Sequence, residues 1–304
     1  MIKEKAAFVS SGSLRLWTER FGDPADPVVL LIMGTSAQGI GWPDELVEVL
    51  VSGRRQVIRF DHRDTGQSDC VDFAAAPYTI SDMARDALAV LDGHQVTAAH
   101  IAGASLGGAI GQILAVHHPG RVRTLTAIMT YPMGYQAGPA WARALAGQPP
   151  QPGDLPAPDP EFLRHVTAMA GCPPSTPAER VTANVETWRI LNGTTLPFDA
   201  DAACRHVEAS IARARDFQAA THHDLAGKQM TLERQAPLSR ITAPTLVIHG
   251  TDDPLRPLAN GQALAALIPG ARFEAIPGMG HGFFSPGIPA TIARLILDHT
   301  AIQP

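Results

Sequence analysis

An α/β fold, with a mostly parallel sheet flanked by helices, is predicted by two patterns that alternate along the chain. Short apolar runs, typical of buried parallel strands, are followed by segments with the apolar spacing of amphipathic helices. In the middle of the chain this alternation gives way to proline-rich sequence and helical patterns without strand-like runs. We therefore expect a core formed by residues 1–131 and 238–304, with a helical lid formed by residues 132–237 inserted between its two halves.

The first half of the core contains four strand-like runs. They lie at 27–34, 55–62, 98–105 and 123–130. Helical spacing predicts helices at 44–51, 80–91 and 106–120. Asp44 is a possible N-cap of the first helix, and Thr79 or Ser81 of the second. Strands that alternate with helices in this way pair in parallel through right-handed crossovers.

The same alternation resumes near the C-terminus. Apolar runs predict strands at 244–250 and 272–278, and helical spacing predicts helices at 258–268 and 289–300. The lid has helical spacing around 178–192 and 200–218. A poorly ordered spacer is the alternative, but such segments lack bulky apolar residues. The lid contains several of these: Trp141, Phe162, Met169, Trp188 and Phe198.

Composition and charge argue against several classes of protein. The 304 residues carry a net charge of -5, so there is no basic footprint for nucleic acid. No apolar run reaches the roughly 18 residues that a membrane span needs, and no secretory signal is visible. The three cysteines lack paired or metal-type spacing. We expect a cytoplasmic protein that binds neither nucleic acid nor membrane and has no metal site. The oligomeric state stays open.

A serine between glycines follows the third predicted strand. The sequence GASLG (103–107) fits G-x-S-x-G and opens a predicted helix, which is the setting that exposes a nucleophilic serine on a sharp turn. Gly103 and Gly107 would remove clashes in such a turn, and Gly108 would let the helix approach the sheet. A glycine-rich helix cap formed by Ser105 is the alternative. Ser105 is the candidate nucleophile.

A serine hydroxyl needs a general base, and the base needs a carboxylate to orient it. Asp252 and Asp253 follow the predicted strand at 244–250, and His281 follows the next strand in a glycine-rich loop. The order serine, acid, histidine is the order expected with a G-x-S-x-G turn. One aspartate is expected only to cap a turn, and a lone loop histidine is more often structural. All three groups follow strand ends, which favours the joint interpretation.

Backbone amides that could stabilise a developing oxyanion are predicted at two places. One is the amide of Leu106, which directly follows the candidate nucleophile. The other is the amide of Thr35, in the loop IMGTSAQG (32–39) after the first long apolar strand. A flexible glycine loop without a ligand is the alternative for the second place.

Aromatic side chains of the lid and of the loop after His281 are candidates for the walls of a substrate pocket, because apolar side chains generally line such pockets. We name four: Trp141, Phe162, Trp188 and Phe283. The alternative is that these residues form a small core of the lid itself.

Seven stretches of the sequence carry a resemblance to a known family. They are FGDPADP (21–27), GWPDE (41–45), DHRDTGQS (61–68), DFAAAPY (72–78), VLDG (90–93), WRILNGTTLPFD (188–199) and IPGMGH (276–281). With them the chain resembles the α/β-hydrolase superfamily over nearly its whole length, and within it the aclacinomycin methylesterase type of Streptomyces polyketide pathways. The serine turn reads GASLGG where a methionine is expected after the serine, and residues 133–180 do not match in detail.

The resemblance implies an α/β-hydrolase fold and a serine esterase without a cofactor. It puts the nucleophile, acid and base on Ser105, Asp253 and His281, and the oxyanion amides on Thr35 and Leu106. The implied reaction removes a methyl ester from a bulky aromatic or polyketide-like acid through an acyl-enzyme, so the expected partner is a small-molecule ester.

Other functions stay open. A cofactor-free haloperoxidase or perhydrolase and a lactone hydrolase would use the same three residues, as would a hydrolase of carbon–carbon bonds. Haloalkane and epoxide hydrolases carry Asp at the position of Ser105, which argues against them. A missing member of the triad would have indicated a binding module, and none is missing.

Overall fold

The computed structural model describes residues 6–135, 137–228 and 237–301. Its strands are β1 (Ala7–Ser11), β2 (Leu14–Phe21), β3 (Val28–Ile32), β4 (Gln56–Phe60), β5 (Ala99–Ala104), β6 (Val122–Ile128), β7 (Thr245–Gly250) and β8 (Arg272–Ile276). The α-helices of these ranges are α1 (Asp44–Ser52), α2 (Ile80–Gly93), α3 (Leu106–His117), α4 (Ala137–Leu145), α5 (Pro160–Gly171), α6 (Pro177–Leu191), α7 (Ala200–Arg213), α8 (His222–Lys228), α9 (Ala259–Leu267) and α10 (Ile288–Thr300).

All eight strands belong to one sheet, in the order β1-β2-β4-β3-β5-β6-β7-β8. Strands β3 to β8 pair in parallel, whereas β2 runs antiparallel to both β1 and β4. The predicted α/β fold with a mostly parallel sheet is therefore confirmed, and each predicted strand and helix of the core has its counterpart. The sequence patterns do not predict the β1–β2 hairpin, which turns at Gly12 with φ 59°.

Helices cover both faces of the sheet because successive strand residues point to opposite sides. Val29 and Leu31 of β3 pack in a cluster with apolar residues of α1 and α10. Leu30 and Ile32 pack in a second cluster with α2, α3 and α9. All four side chains are fully buried. Because β3 to β8 are parallel, their carboxyl ends lie along one edge of the sheet, where the loops that follow them meet.

The helix starts test the predicted caps. Thr79 caps α2 in a capping box with Asp82, as predicted. The prediction for α1 is wrong: Pro43 occupies the N-cap, and Asp44 is the first residue of the helix. The Asp44 carboxylate instead accepts a hydrogen bond from Arg59 at 3.1 Å.

Between β6 and β7, the described residues form helices and no strand. Helices α6 and α7 match the predicted helical patterns, whereas α4, α5 and α8 are additional. A small apolar cluster of Phe162, Ile190 and Leu191, with Trp141 and Trp188 against it, holds this segment together. The limits of the lid at 132 and 237 stay a prediction. In the described ranges, no helix is long and apolar enough to span a membrane.

Candidate active site

Ser105 occupies a strained corner between β5 and α3. Its backbone has φ 52° and ψ -115°, a conformation that costs free energy in a residue with a side chain. Two hydrogen bonds to the next strand and its loop hold it there. The Ser105 amide donates to the Ile128 carbonyl at 2.9 Å, and Thr130 Oγ1 donates to the Ser105 carbonyl at 2.8 Å. The corner presents the side chain at the carboxyl end of the sheet.

Glycine occupies three positions around Ser105 where neighbouring atoms lie too close for a Cβ. A Cβ on Gly103 would overlap the carbonyl oxygen of Gly107, and a Cβ on Gly107 would overlap the carbonyl oxygen of Ile32. On Gly108 it would press on the side chain of Thr130. The turn therefore leaves no room for a Cβ at Gly103 or Gly107 and little room for one at Gly108.

Asp253 and His281 lie together in loops after β7 and β8. His281 Nδ1 is 2.7 Å from Asp253 Oδ2, and both residues are buried. The other carboxylate oxygen, Oδ1, accepts hydrogen bonds from the amides of Leu255 at 2.9 Å and Arg256 at 2.7 Å. These two amides fix the carboxylate, so that Oδ2 faces the imidazole.

Asp252 has a different set of contacts. Its Oδ2 accepts hydrogen bonds from the amides of Thr194 at 2.6 Å and Thr195 at 2.8 Å. Burial opposes its ionisation, but these hydrogen bonds outweigh burial and lower the pKa of Asp252. Asp252 thus anchors the chain after α6, and Asp253 itself caps the turn that follows it.

The His281 loop is fastened to the end of α6. The His281 amide donates to the Leu191 carbonyl at 2.6 Å, and Ser285 Oγ donates to Asn192 Oδ1 at 2.8 Å. A Cβ on Gly280 would overlap the backbone of Asn192. The position of His281 therefore depends on the end of α6 as well as on the sheet.

Ser105 and His281 line one cavity of about 390 Å³. Within the described residues the two side chains are not hydrogen bonded to each other, a common state of such pairs without a substrate. The four aromatic side chains named from the sequence also line this cavity: Trp141, Phe162, Trp188 and Phe283. Three of them belong to the apolar cluster of the lid as well. Both interpretations made from the sequence are thus compatible with the structure.

Of the two residues predicted to supply oxyanion donors, Thr35 lines the same cavity as Ser105, and Leu106 follows Ser105 directly. Thr35 is exposed in the loop after β3 and lines the cavity. Leu106 is the first residue of α3, so its amide has no carbonyl partner within the helix. Gly34 precedes Thr35 in this loop and lies close to the serine. A Cβ on Gly34 would lie only 3.2 Å from Ser105 Cβ, so glycine lets the loop approach Ser105.

His223 of α8 anchors the loop that carries Thr35. Its Nδ1 accepts the amide proton of Ser36 at 2.9 Å, and its Nε2 donates to the carbonyl of Arg63 at 2.9 Å. Burial lowers the pKa of His223 to about 3, so the ring stays neutral. Ser36 also donates through Oγ to Ala220 at 2.8 Å. Sequence reasoning missed this contact, because residues 187 positions apart share no local pattern.

The loop DHRDTGQS (61–68) joins the sheet to the helices α7 and α8. Asp61 accepts a hydrogen bond from the Gly39 amide at 2.8 Å and pairs with Arg213 at 2.9 Å. Asp64, with φ 65°, accepts hydrogen bonds from the Tyr78 hydroxyl at 2.7 Å and from His222 at 3.1 Å. Both carboxylates are fully buried. This stretch therefore supports helices α7 and α8 and also the loop that carries Thr35, because His62 Nε2 lies 2.9 Å from the Met33 carbonyl oxygen.

Among residues 6–135, 137–228 and 237–301, no group of three or more His, Cys, Asp or Glu is placed to ligate a metal ion. The polar groups at the cavity are Ser105, His281, Thr35, Asp224 and Arg256. The arrangement suits attack by a hydroxyl on a largely apolar substrate.

Comparisons with known proteins bear on the fold and the family. The esterase EaEST from Exiguobacterium antarcticum superposes with a TM-score of 0.74 at 18% identity, over 98% of this chain and all (100%) of that one. Its low identity makes it evidence for the fold alone.

Two curated proteins are similar over nearly the whole length. Rhodomycin D methylesterase DnrP of Streptomyces peucetius is 42% identical over 96% of this chain and 97% of its own. Rhodomycin D methylesterase DauP of a Streptomyces strain is 40% identical over the same shares of the two chains, 96% and 97%. The model of a protein family described as "Alpha/beta hydrolase family" matches residues 29–291 of this chain. The chain therefore belongs to the α/β-hydrolase family.

Proposed function

We propose that this protein removes the methyl group from methyl esters of bulky aromatic acids, with Ser105 as the nucleophile of an acyl-enzyme mechanism. One observation carries the proposal: His281, whose Nδ1 is 2.7 Å from Asp253 Oδ2, shares an aromatic-walled cavity with Ser105. Ester hydrolysis as the reaction class is supported by the two methylesterases, which are 42% and 40% identical.

The first half of the reaction transfers the acyl group to Ser105. His281 Nε2 accepts the hydroxyl proton as Ser105 Oγ attacks the ester carbonyl, and Asp253 keeps the Nδ1 proton in place. The carbon–oxygen bond to methoxide then breaks, and His281 returns the proton to the leaving group as methanol. In the second half, water loses a proton to His281 and attacks the acyl-enzyme. The bond between the acyl carbon and Ser105 Oγ breaks, His281 returns the proton to Oγ, and the carboxylic acid is released.

The amides of Thr35 and Leu106 would stabilise the tetrahedral oxyanion. The Leu106 amide lies at the N-terminus of α3, where the helix dipole favours negative charge. Donors of this kind act at fixed positions and are worth about 10²–10³-fold in kcat each. His223 supports the Thr35 donor because its hydrogen bond to the Ser36 amide at 2.9 Å fixes the next residue of the loop.

The substrate class is proposed from the cavity walls. Aromatic faces favour flat ring systems by offset or edge-to-face stacking, at about 0.5–1.5 kcal/mol per pair. Trp141 and Phe162 already adopt an edge-to-face arrangement, with ring centroids 6.5 Å apart. We propose that residues 132–237 act as a lid that supplies these rings, over a core of 1–131 and 238–304. A cytoplasmic location and the absence of a nucleic-acid or membrane partner stay predictions.

The test is a comparison of kcat/KM for methyl esters of fused aromatic acids and of linear fatty acids. We expect the aromatic esters to be preferred, and we expect the preference to disappear when the lid is exchanged for that of a short-chain esterase. A preference of tenfold or more for linear esters would contradict the substrate proposal. Faster peroxide-dependent bromination or lactone opening than methyl ester cleavage would favour the alternatives.

A further inference from the structure

Arg256 is a cation at the wall of the active-site cavity. It follows Asp253 in the loop after β7 and lines the same cavity as Ser105 and His281. Its guanidinium carbon lies 4.0 Å from the centre of the Tyr131 ring and 5.1 Å from the centre of the Trp141 ring. The planar cation is therefore held between aromatic faces of the sheet edge and of the lid.

The Arg256 guanidinium has no carboxylate partner in the described residues. No ion pair or side-chain hydrogen bond joins it to another residue there. The nearby Asp253 carboxylate is committed to His281 and to two backbone amides. Asp224, which also lines the cavity, is not paired with it either. Stacking on aromatic faces offsets part of the cost of such a cation, but it leaves the N–H donors unused.

The backbone of Arg256 is tied to the proposed acid. Its amide donates to Asp253 Oδ1 at 2.7 Å, and its carbonyl accepts a hydrogen bond from His249 Nε2 at 2.6 Å. These bonds fix the start of the side chain relative to His281. A ligand held by the guanidinium would consequently lie at a defined position relative to the reacting groups.

We propose that Arg256 is a specificity residue that donates hydrogen bonds to an oxygen substituent, a phenol, phenolate or ring ketone, on the aromatic acyl group of the substrate. The fork of N–H groups suits such an oxygen, and the flanking rings of Tyr131 and Trp141 suit the flat ring that carries it. The protein then selects oxygenated fused-ring esters over unsubstituted ones of the same shape. This inference rests on the proposed function, because it assumes that the acyl group occupies this cavity.

The test measures binding separately from turnover. Methyl 2-naphthoate and its isomers with one ring hydroxyl are titrated into the Ser105→Ala variant, which binds without cleaving. We expect at least one hydroxylated isomer to bind roughly 10–100-fold more tightly than the unsubstituted ester, the range for a hydrogen bond to a charged donor. The same measurement is made with Arg256→Met and with Arg256→Lys in that background.

Each variant has a distinct expected result. Arg256→Met should reduce the preference to near unity, and Arg256→Lys, which keeps the charge but not the fork, should retain part of it. Arg15→Met is the matched control, because Arg15 stacks on the exposed Phe8 ring at 5.4 Å outside the cavity, and it should retain the full preference. Thermal unfolding reports whether each variant is folded. If Arg256→Met does not fold, the binding preference measured with Arg256→Lys tests the inference.

Equal binding of hydroxylated and unsubstituted esters, or an unchanged preference in Arg256→Met or Arg256→Lys, would overturn the inference. Failure of the proposed function looks different. In that case the protein with Ser105 intact cleaves none of these esters, whatever the binding data show about Arg256.

Discussion

Replacement of Asp253 by Asn should nearly abolish turnover, for a reason that the hydrogen bonds make specific. Oδ1 of Asp253 accepts two backbone amides, from Leu255 and Arg256, while Oδ2 faces His281 Nδ1 at 2.7 Å. An Asn oxygen would keep the two amides, because an NH₂ group cannot accept them. The Asn NH₂ group would then face His281 and donate to Nδ1. The imidazole proton would move to Nε2, where it blocks the acceptance of the serine proton.

The expected loss in kcat is roughly 10⁴-fold, the scale observed when a triad carboxylate becomes an amide in a serine protease. The matched control is Asp252→Asn. There a single oxygen, Oδ2, accepts the amides of Thr194 and Thr195, and the Asn oxygen can take its place. The control should therefore keep kcat within about threefold, since it leaves the His281 tautomer unchanged.

The assay is steady-state hydrolysis of an aromatic methyl ester, with thermal unfolding as the check on folding. The two variants carry the same Asp→Asn change at adjacent positions. A loss of kcat in only one of them therefore does not come from a general loss of stability. A folded Asp253→Asn enzyme with a tenth or more of the wild-type kcat would refute the reasoning. So would a ranking in which Asp252→Asn is the more damaging change.

Three further outcomes are expected. Thr35→Ala should change kcat little and Thr35→Pro should lower it by about 10²–10³-fold, because only the amide is required; comparable losses in two folded variants would assign a role to the hydroxyl. His223→Ala should lower kcat more than it raises KM, because it frees the Ser36 amide, and His223→Asn should restore part of kcat, since its oxygen can accept that proton; equal effects of the two variants would leave His223 a packing role. Burial lowers the pKa of His223 to about 3 and those of His100 and His206 to about 4, against 6.5 unperturbed. The unfolded chain therefore binds these protons first as the pH falls below 6.5, and the free energy of unfolding in urea should decrease by up to about 1.4 kcal/mol per pH unit for each histidine; a constant value from pH 6.5 to 5 would contradict the buried neutral state.

Most of the core was predictable because its parallel strands lie in short, largely apolar runs and its helices have an apolar stripe. The β1–β2 hairpin was not, since β2 buries Glu19 in an ion pair with Arg59 at 2.8 Å. A buried charged pair breaks the alternation that sequence patterns rely on. The helices α4 and α5 were not predicted, because prolines and glycines between them interrupt the helical spacing. Their residues Trp141 and Phe162 pack with Ile190 and Leu191 of α6.

The candidate reacting groups were predictable because each lies in a turn or loop that follows a strand. Glycine spacing around Ser105 and the loops after β7 and β8 provide local signals for the serine, the acid and the histidine. His223 and Arg256 have no such signal. Their roles depend on contacts with Ser36, Tyr131 and Trp141 that only the folded chain brings together.

Acylation of Ser105 during ester cleavage is tested most directly by a rapid-quench experiment. The enzyme is mixed with a methyl ester of a fused aromatic acid and quenched in acid, and the peptides are mapped by mass spectrometry. We expect an added acyl mass on the peptide that contains Ser105, formed together with one equivalent of methanol and absent in Ser105→Ala. Acylation of another residue, or ester cleavage by the folded Ser105→Ala variant, would contradict it.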